Sequence, residues 1–434
     1  MKRVLIVSPH FPPVNAPDMQ RVRLALPHLR AQGWEPTVLA VEPGLVEGGV
    51  REPRLEATYP ADIRVVRSGG VSAAWTRWAG VGNLWWRCGR ALAAAGAAEL
   101  AARRHDAVLF STTQFSAFGL GPGWREKFGV PYVLDYQDPW VNDYYARTGT
   151  RPPGGPWKYA LSQRGAKRLE PGALRGAAGV VAVSAAYAEM LGRLYPWFDP
   201  ARVEVLPFGA AAADFAALEG YRPAQPLIDF DDGNVHHVYT GRCGPDMAGA
   251  LTIVFRALAR FRREQPAAAA RLRLHFIGTG YAPPPLGEDS VLPMARAEGV
   301  ADQVREHRYR VPYFDTLHYL RHAHALMAVG SDDATYAASK IFPYVLAGRP
   351  LLLVYRRGSA VARFAAEVGA GFRADFDAPG DAAAVVRVAQ GWYGGACNCA
   401  VPVAAAAFAP YTAEVLTARL ARVLDAAAGG RRAN

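Results

Sequence analysis

The chain has 434 residues, 51% hydrophobic and 20% charged, a balance that excludes disorder and suffices for two or three domains, each with its own core. No apolar run approaches the roughly 18 residues that a membrane-spanning helix needs. The net charge of +11 is uneven: residues 1–210 hold 25 Lys+Arg against 17 Asp+Glu, and residues 211–434 hold 24 against 21. The first half therefore favours an anionic partner, such as a phospholipid surface, a lipid phosphate or nucleic acid. With no zinc finger, aromatic RNA-binding motif or basic repeat, no nucleic-acid partner is expected. Cys88, Cys243, Cys397 and Cys399 show neither a disulfide framework nor metal spacing, and read as free thiols in a reducing cytoplasm.

Strands alternate with helical stretches throughout, the pattern of parallel sheets flanked by helices. Met1-Lys-Arg-Val-Leu-Ile-Val7 has no small-residue cleavage site and reads as a buried strand, not a signal peptide. The first half offers strands at Arg3–Ser8, Glu35–Val41, Ile63–Arg67, Ala107–Ser111, Tyr132–Tyr136, Val180–Val183 and Val203–Pro207. The loop after the first strand carries His10, Pro12, Pro13 and Asn15 and leads to Arg21 at the start of a helix. Its paired prolines stiffen the backbone. Arg21 reads either as a ligand-facing cation or as a surface ion pair, and His10 as a packed or hydrogen-bonded loop residue. In the segment with Trp75, Trp78, Trp85 and Trp86 beside Arg77, Arg87 and Arg90, helical spacing puts the tryptophans in a narrow arc, while Gly80 and Gly82 weaken a continuous helix. Such a helix suits an anionic membrane surface, a lipid-acceptor groove or plain core packing. Further on, Pro131-Tyr-Val-Leu-Asp135-Tyr-Gln-Asp138 delivers two carboxylates at a strand's end. A carboxylate there can orient a sugar or polarise a hydroxyl or hold a turn; Asp138 takes the first role and Asp135 the second.

A second set of strands begins after a linker: Val235–Thr240, Leu272–Ile277, Val304–His307, Ala325–Val329, Leu351–Val354 and Gly371–Ala374, with a last amphipathic helix at Thr412–Ala427. Gly241-Arg242 follows the first of these and Gly278-Thr-Gly280 the second. In Ser331–Val354 a polar loop precedes a short helix opened by Ser339 and Lys340. A helix start offers free N–H groups to an anion, Ser339 is suited to cap it, and Lys340 adds a positive charge. Asp229-Phe-Asp231 and Asp375-Phe-Asp377 have metal-motif spacing, but one lies in the linker and the other precedes a helix that Asp381 suits as a cap. No metal is expected at either.

The segments at 131–140 and 331–354, with weaker similarity over roughly 1–395, resemble the retaining, nucleotide-sugar-dependent glycosyltransferases of the family-4 type. The resemblance implies an α/β fold of GT-B architecture, two doubly wound Rossmann-like domains facing a cleft. The expected division is an acceptor-binding domain at 1–210, a linker at 211–233, a nucleotide-sugar donor-binding domain at 234–395, and a helical segment at 396–434 returning to the first domain. It implies Asp138, Arg242 and Lys340 in catalysis, Gly241, Gly278, Arg310, Val311, Tyr336 and Ser339 around the donor, and His10, Asn15 and Arg21 on the acceptor or cleft loop. The sequence departs from the family where a second cation is usual (Met247), where a ribose-binding glutamate is usual (Pro343), and in the first loop, where Asn15-Ala16 replaces glycines. The expected activity is sugar transfer with retention to a glycan or lipid-linked acceptor in cell-surface polysaccharide or glycolipid synthesis. It needs no metal or cofactor and takes place in the cytoplasm or peripherally on the inner membrane face. A non-catalytic GT-B protein binding a nucleotide or glycan, and a sugar-nucleotide epimerase of the same fold, are the alternatives.

Overall fold

The structure, a computed structural model, describes residues 1–47, 50–76, 78, 80, 82–142, 152, 155–280, 282, 285–332, 339–395 and 403–430. Tyr336, Arg77, Cys397 and Cys399 lie outside the described residues. The chain divides into two units, Met1–Phe208 with Ala413–Asn434, and Gly209–Thr412.

The first unit is built on a seven-stranded parallel sheet: β1 (Lys2–Val7), β2 (Trp34–Val41), β3 (Arg64–Ser68), β4 (Ala107–Ser111), β5 (Tyr132–Tyr136), β6 (Gly179–Ala182) and β7 (Val203–Val205). Their order is β3-β2-β1-β4-β5-β6-β7. The second unit repeats the plan with β8 (Val235–Thr240), β9 (Leu272–Ile277), β10 (Val304–His307), β11 (Ala325–Val329), β12 (Leu351–Val354) and β13 (Phe372–Arg373), ordered β10-β9-β8-β11-β12-β13. Central strands are covered by helices on both faces, so they are apolar without alternation: Val4 to Val7 and Leu326 to Val329 are all buried. In each sheet the strand order reverses beside the first strand, between β1 and β4 and between β8 and β11. Doubly wound sheets bind ligands at that point, outside the carboxyl ends.

The helices that matter below are α1 (Gln20–Leu29), α2 (Leu84–Ala102), α3 (Pro156–Gly176), α4 (Ala248–Glu264), α5 (Ile341–Leu346) and α6 (Ala413–Gly429). Helix α6 belongs to the first unit. Its stripe of Leu416, Leu420, Leu424 and Ala427 joins the core formed by Val4, Ile6, Val22 and Leu26. Asp425 fixes it at the edge, accepting from Lys2 Nζ at 2.8 Å and Trp34 Nε1 at 3.0 Å. The stretch at 211–233, expected as a linker, lies within the second unit. Tyr313 donates to Asp214 at 2.7 Å, Tyr221 to Asp315, and the Leu227 N–H to Tyr319 Oη at 3.1 Å.

The tryptophan segment is not one continuous helix, in keeping with the glycines at 80 and 82. A one-turn helix at Ala73–Thr76 is followed by Gly80 at φ +69°, and α2 starts afresh at Leu84 under an Asn83 cap. Because α2 begins there, Arg87 turns inward. It is buried and donates to the carbonyls of Val71 and Leu45, both at 3.0 Å. Trp85 packs against the first-unit core.

Candidate active site

In the second unit the sequence brings Gly241, Arg242 and Lys340 together at the switch point. Strand β8 ends in Thr240, whose N–H donates to the Tyr344 hydroxyl at 2.6 Å. That bond ties α5 to the strand and carries Lys340, just ahead of the helix, over Tyr239. The ammonium sits 4.0 Å from the Tyr239 ring centroid and donates to its hydroxyl. Gly241 adopts φ +129°, a conformation that requires glycine, and a Cβ there would lie 3.0 Å from Lys340 Nζ and press on that ammonium. Burial pushes the Lys340 ammonium down to about 7, and the nearby Arg242 charge acts in the same direction.

Arg242 is held by a two-pronged pair with Asp246, at 2.7 and 2.8 Å. Burial alone would raise the Asp246 carboxyl; the arginine outweighs it and holds it below the usual range. Asp332, half-buried at the end of β11, is raised by burial and by the Asp246 charge. Met247 is fully buried beneath, its sulfur 3.7 Å from the Tyr239 hydroxyl.

Ser339 does not cap the helix. Lys340 occupies the cap position, no side chain caps it, and Ser339 is exposed. With only six residues α5 has little dipole, so charge for an anion comes from Lys340 and Arg242. On the neighbouring strands, Gly278 (φ +75°) ends β9 and donates to the His307 carbonyl at 2.7 Å. Arg310, exposed, and Val311 follow β10. These sites therefore share the carboxyl edge of one sheet.

In the first unit, His10 and Asp18 form a pair at the β1/β4 switch point. His10 Nδ1 lies 2.9 Å from both Asp18 oxygens. The buried Asp18 also accepts from Thr112 Oγ1 at 3.0 Å and from the N–H and hydroxyl of Thr113 at 3.1 and 3.2 Å. Burial alone would lower the His10 pKa, but Asp18 reverses this and raises it; the same pairing lowers Asp18 against its own burial. Asp18 was missed in the sequence: its partners lie 8 and more than 90 positions away.

Arg21 is not the surface ion pair that its position at a helix start suggests. It is buried, 2.7 Å from the fully buried Asp135, and donates to the Leu206 and Pro207 carbonyls at 2.6 and 3.3 Å. Ser111 and Gln137 also donate to Asp135, at 2.7 and 3.0 Å. This knot fixes the ends of β4, β5 and β7 to the start of α1. Asn15 is buried in a two-residue strand paired with Val50–Arg51, its amide 3.4 Å from Glu52. Asp138 is exposed, with the Tyr187 hydroxyl 3.4 Å away.

Among the described residues no group of three or more His, Cys, Asp or Glu side chains is arranged to hold a metal ion. Asp229 accepts from the Asp231 N–H at 3.0 Å, Asp377 pairs with Arg357 at 3.0 Å, and Asp381 caps the helix that follows.

Residues 20–209 match the family model described as the glycosyl transferase 4-like domain. No curated protein sequence matches the chain significantly. Among solved structures, HepE (Alr3699) of Anabaena, determined with UDP and glucose, is similar at a TM-score of 0.59 and 13% identity, covering 98% of this chain and 100% of that one. A glycosyltransferase from Rickettsia africae gives 0.58 and 13%, covering 98% of each chain. A UDP-forming α,α-trehalose-phosphate synthase from Burkholderia vietnamiensis gives 0.55 and 14%, covering 100% of each. At these identities the likeness establishes the fold, and that fold is GT-B.

Proposed function

From the premise that this GT-B chain is a glycosyltransferase of the family-4 type, its residues 20–209 forming a glycosyl transferase 4-like domain, we propose that it moves a sugar from a nucleotide-sugar donor to an acceptor hydroxyl with retention of configuration. The acceptor is a glycan or a lipid-linked saccharide of the cell surface, met at the cytoplasmic face of the membrane. The observation that carries the reading is the convergence of Lys340, Arg242 and the Gly241 turn at the switch point of the second sheet.

In this reaction the bond from the anomeric carbon to the diphosphate breaks and one to the acceptor oxygen forms. Negative charge collects on the departing diphosphate while the sugar gains oxocarbenium character. Lys340 and Arg242 stabilise that charge from fixed positions, and chain cations of this kind make a metal ion unnecessary. Asp138, exposed at the end of β5, is suited to orient the acceptor. UDP in HepE supports a nucleoside diphosphate as the ligand of this fold, and UDP is the first compound to test.

The buried Met247 and the proline at 343 favour one other reading, a GT-B protein that binds a nucleotide or glycan without turning it over. Thermal shift against a panel of nucleoside diphosphates, followed by assay of donor consumption, separates the two. Stabilisation of the wild type by a diphosphate, lost in Lys340→Ala, is expected; ligand at 100 times its dissociation constant contributes about 2.7 kcal/mol. No response to any diphosphate overturns the donor site, and binding without donor consumption favours the non-catalytic reading.

A further inference from the structure

Four tryptophans of the first unit are more than two-thirds exposed: Trp75 at 77%, Trp78 at 87%, Trp86 at 75% and Trp157 at 68%. Leaving so much indole surface in water is unfavourable, and such a patch marks a contact site. Two chain segments far apart in sequence build it. Lys158, next to Trp157, donates to the Gly80 carbonyl at 3.3 Å and so joins the start of α3 to the loop that carries Trp75 and Trp78.

The helical faces are cleanly sorted. On α3, Trp157, Leu161, Arg164 and Arg168 recur at i, i+4, i+7 and i+11 and are all exposed. Ala166, Glu170, Ala173 and Leu174 bury the opposite side. On α2, Trp86 and Arg90 point outward at i, i+4 while Leu84, Cys88 and Leu92 point inward.

The two segments carry charges of one sign. Neither 71–98 nor 152–169 contains an aspartate or glutamate. Lys158, Arg164, Lys167, Arg168 and Arg90 are exposed there. A protein partner reads a mixture of charge and shape, whereas indole anchors among unopposed cations match the boundary of an anionic bilayer. Indole partitions to the headgroup level, and lysine and arginine attract acidic lipid. No helix among the described residues is long and apolar enough to cross a membrane, so the match is to a surface.

We propose that the face formed by Trp75, Trp78 and Trp86 with the Trp157–Arg168 stripe of α3 docks the first unit on an anionic lipid bilayer. The residues differ from those suggested by the sequence, since Trp85 and Arg87 turn inward. The proposal rests on the glycosyltransferase reading only for its purpose, delivery of the chain to a lipid-linked acceptor; docking itself needs neither donor nor acceptor.

Flotation of the full chain with vesicles of phosphatidylcholine alone, or with one-third phosphatidylglycerol, tests it. Binding to the anionic vesicles only, weakened by salt and accompanied by a blue shift of tryptophan emission, is expected. Two triple variants, Trp78→Ala with Trp86→Ala and Trp157→Ala, and Lys158→Glu with Arg164→Glu and Arg168→Glu, should each lower partitioning by at least about tenfold. All six side chains are exposed, so thermal unfolding should not move. Equal binding to both vesicle types, or variants that bind like wild type, overturns the surface. So does a wild-type dimer in light scattering that the tryptophan variant abolishes, because a second copy would then be the occupant. Nucleotide binding measured on the same samples keeps the two ideas apart. Vesicles ignored with UDP bound sinks the surface alone; vesicles bound with every diphosphate ignored sinks the donor site alone.

Discussion

The His10 imidazole and the Asp18 carboxylate share both carboxylate oxygens at 2.9 Å, at the point where the first sheet reverses its strand order. The pair is composed so that each partner holds the other charged. His10 is raised, so its share of stability is complete below the ordinary histidine pKa and is lost as pH rises through the native value. Asp18 is lowered, so its share is complete above the ordinary aspartate pKa and is lost as pH falls through its native value.

Asp18→Asn should therefore bring the His10 pKa down, read from its ring proton shifts in an NMR titration. It should also destabilise the chain by about 3 kcal/mol near pH 5.5, by urea unfolding, and by less near pH 9. An unmoved His10 pKa would show that the pair does not form in solution.

Lys340 makes nucleotide affinity depend on pH. The free ammonium titrates at about 7, and the protonated form is the one that attracts a diphosphate. Affinity should be greatest below pH 7 and fall by up to about tenfold per unit above it, until the raised pKa of the bound state is reached. Calorimetric titration of UDP between about pH 7.5 and 8.5, where its terminal phosphate is largely ionised, measures this. Lys340→Ala should weaken binding by about 1.5–3 kcal/mol and flatten the pH dependence.

Arg21→Ala should cost about 3–5 kcal/mol in chemical denaturation, because it strands the fully buried Asp135. Asp138→Asn, on an exposed side chain, should move stability by no more than about 0.5 kcal/mol while reducing turnover. Reversed outcomes would exchange the roles of the two residues.

The second unit should lose stability in mild acid. Burial is the main force pushing His237 and His275 down to about 3, and neighbouring histidine charges act the same way. Both stay neutral in the native state while their unfolded counterparts take protons below about pH 6.5. Each should remove about 1.4 kcal/mol per pH unit as pH falls toward 3. Urea midpoints at pH 7.5, 6 and 5 measure the slope, and His237→Asn should reduce it by one histidine's share.

The sheets were legible in the sequence because central parallel strands are apolar runs broken by glycine turns. Val4 to Val7 and Leu351 to Val354 need no partner to be recognised. Gly241 and Lys340 were legible as neighbours of a strand end and a helix start, though not as neighbours of each other. Pairings over long separations were not legible. Arg21 and Asp135 are 114 residues apart, and nothing in either segment shows which carboxylate will be buried. The break in the tryptophan segment was legible in Gly80 and Gly82, but which indoles and arginines turn inward was not, because that depends on the cap at Asn83 and on carbonyls at Leu45 and Val71.

Helix α6 completes the core of the first unit from the far end of the chain, with the whole of Gly209–Thr412 intervening. On a ribosome, the first sheet is finished when residue 205 emerges, yet the apolar surface over Val4 and Ile6 waits for Leu416 to Leu424. At about 5–20 residues per second the delay is on the order of ten seconds or more, long enough for the second unit to fold first. This late helix thus acts as a clasp, and a nascent chain that has not yet reached it is the form that chaperones and proteases would meet.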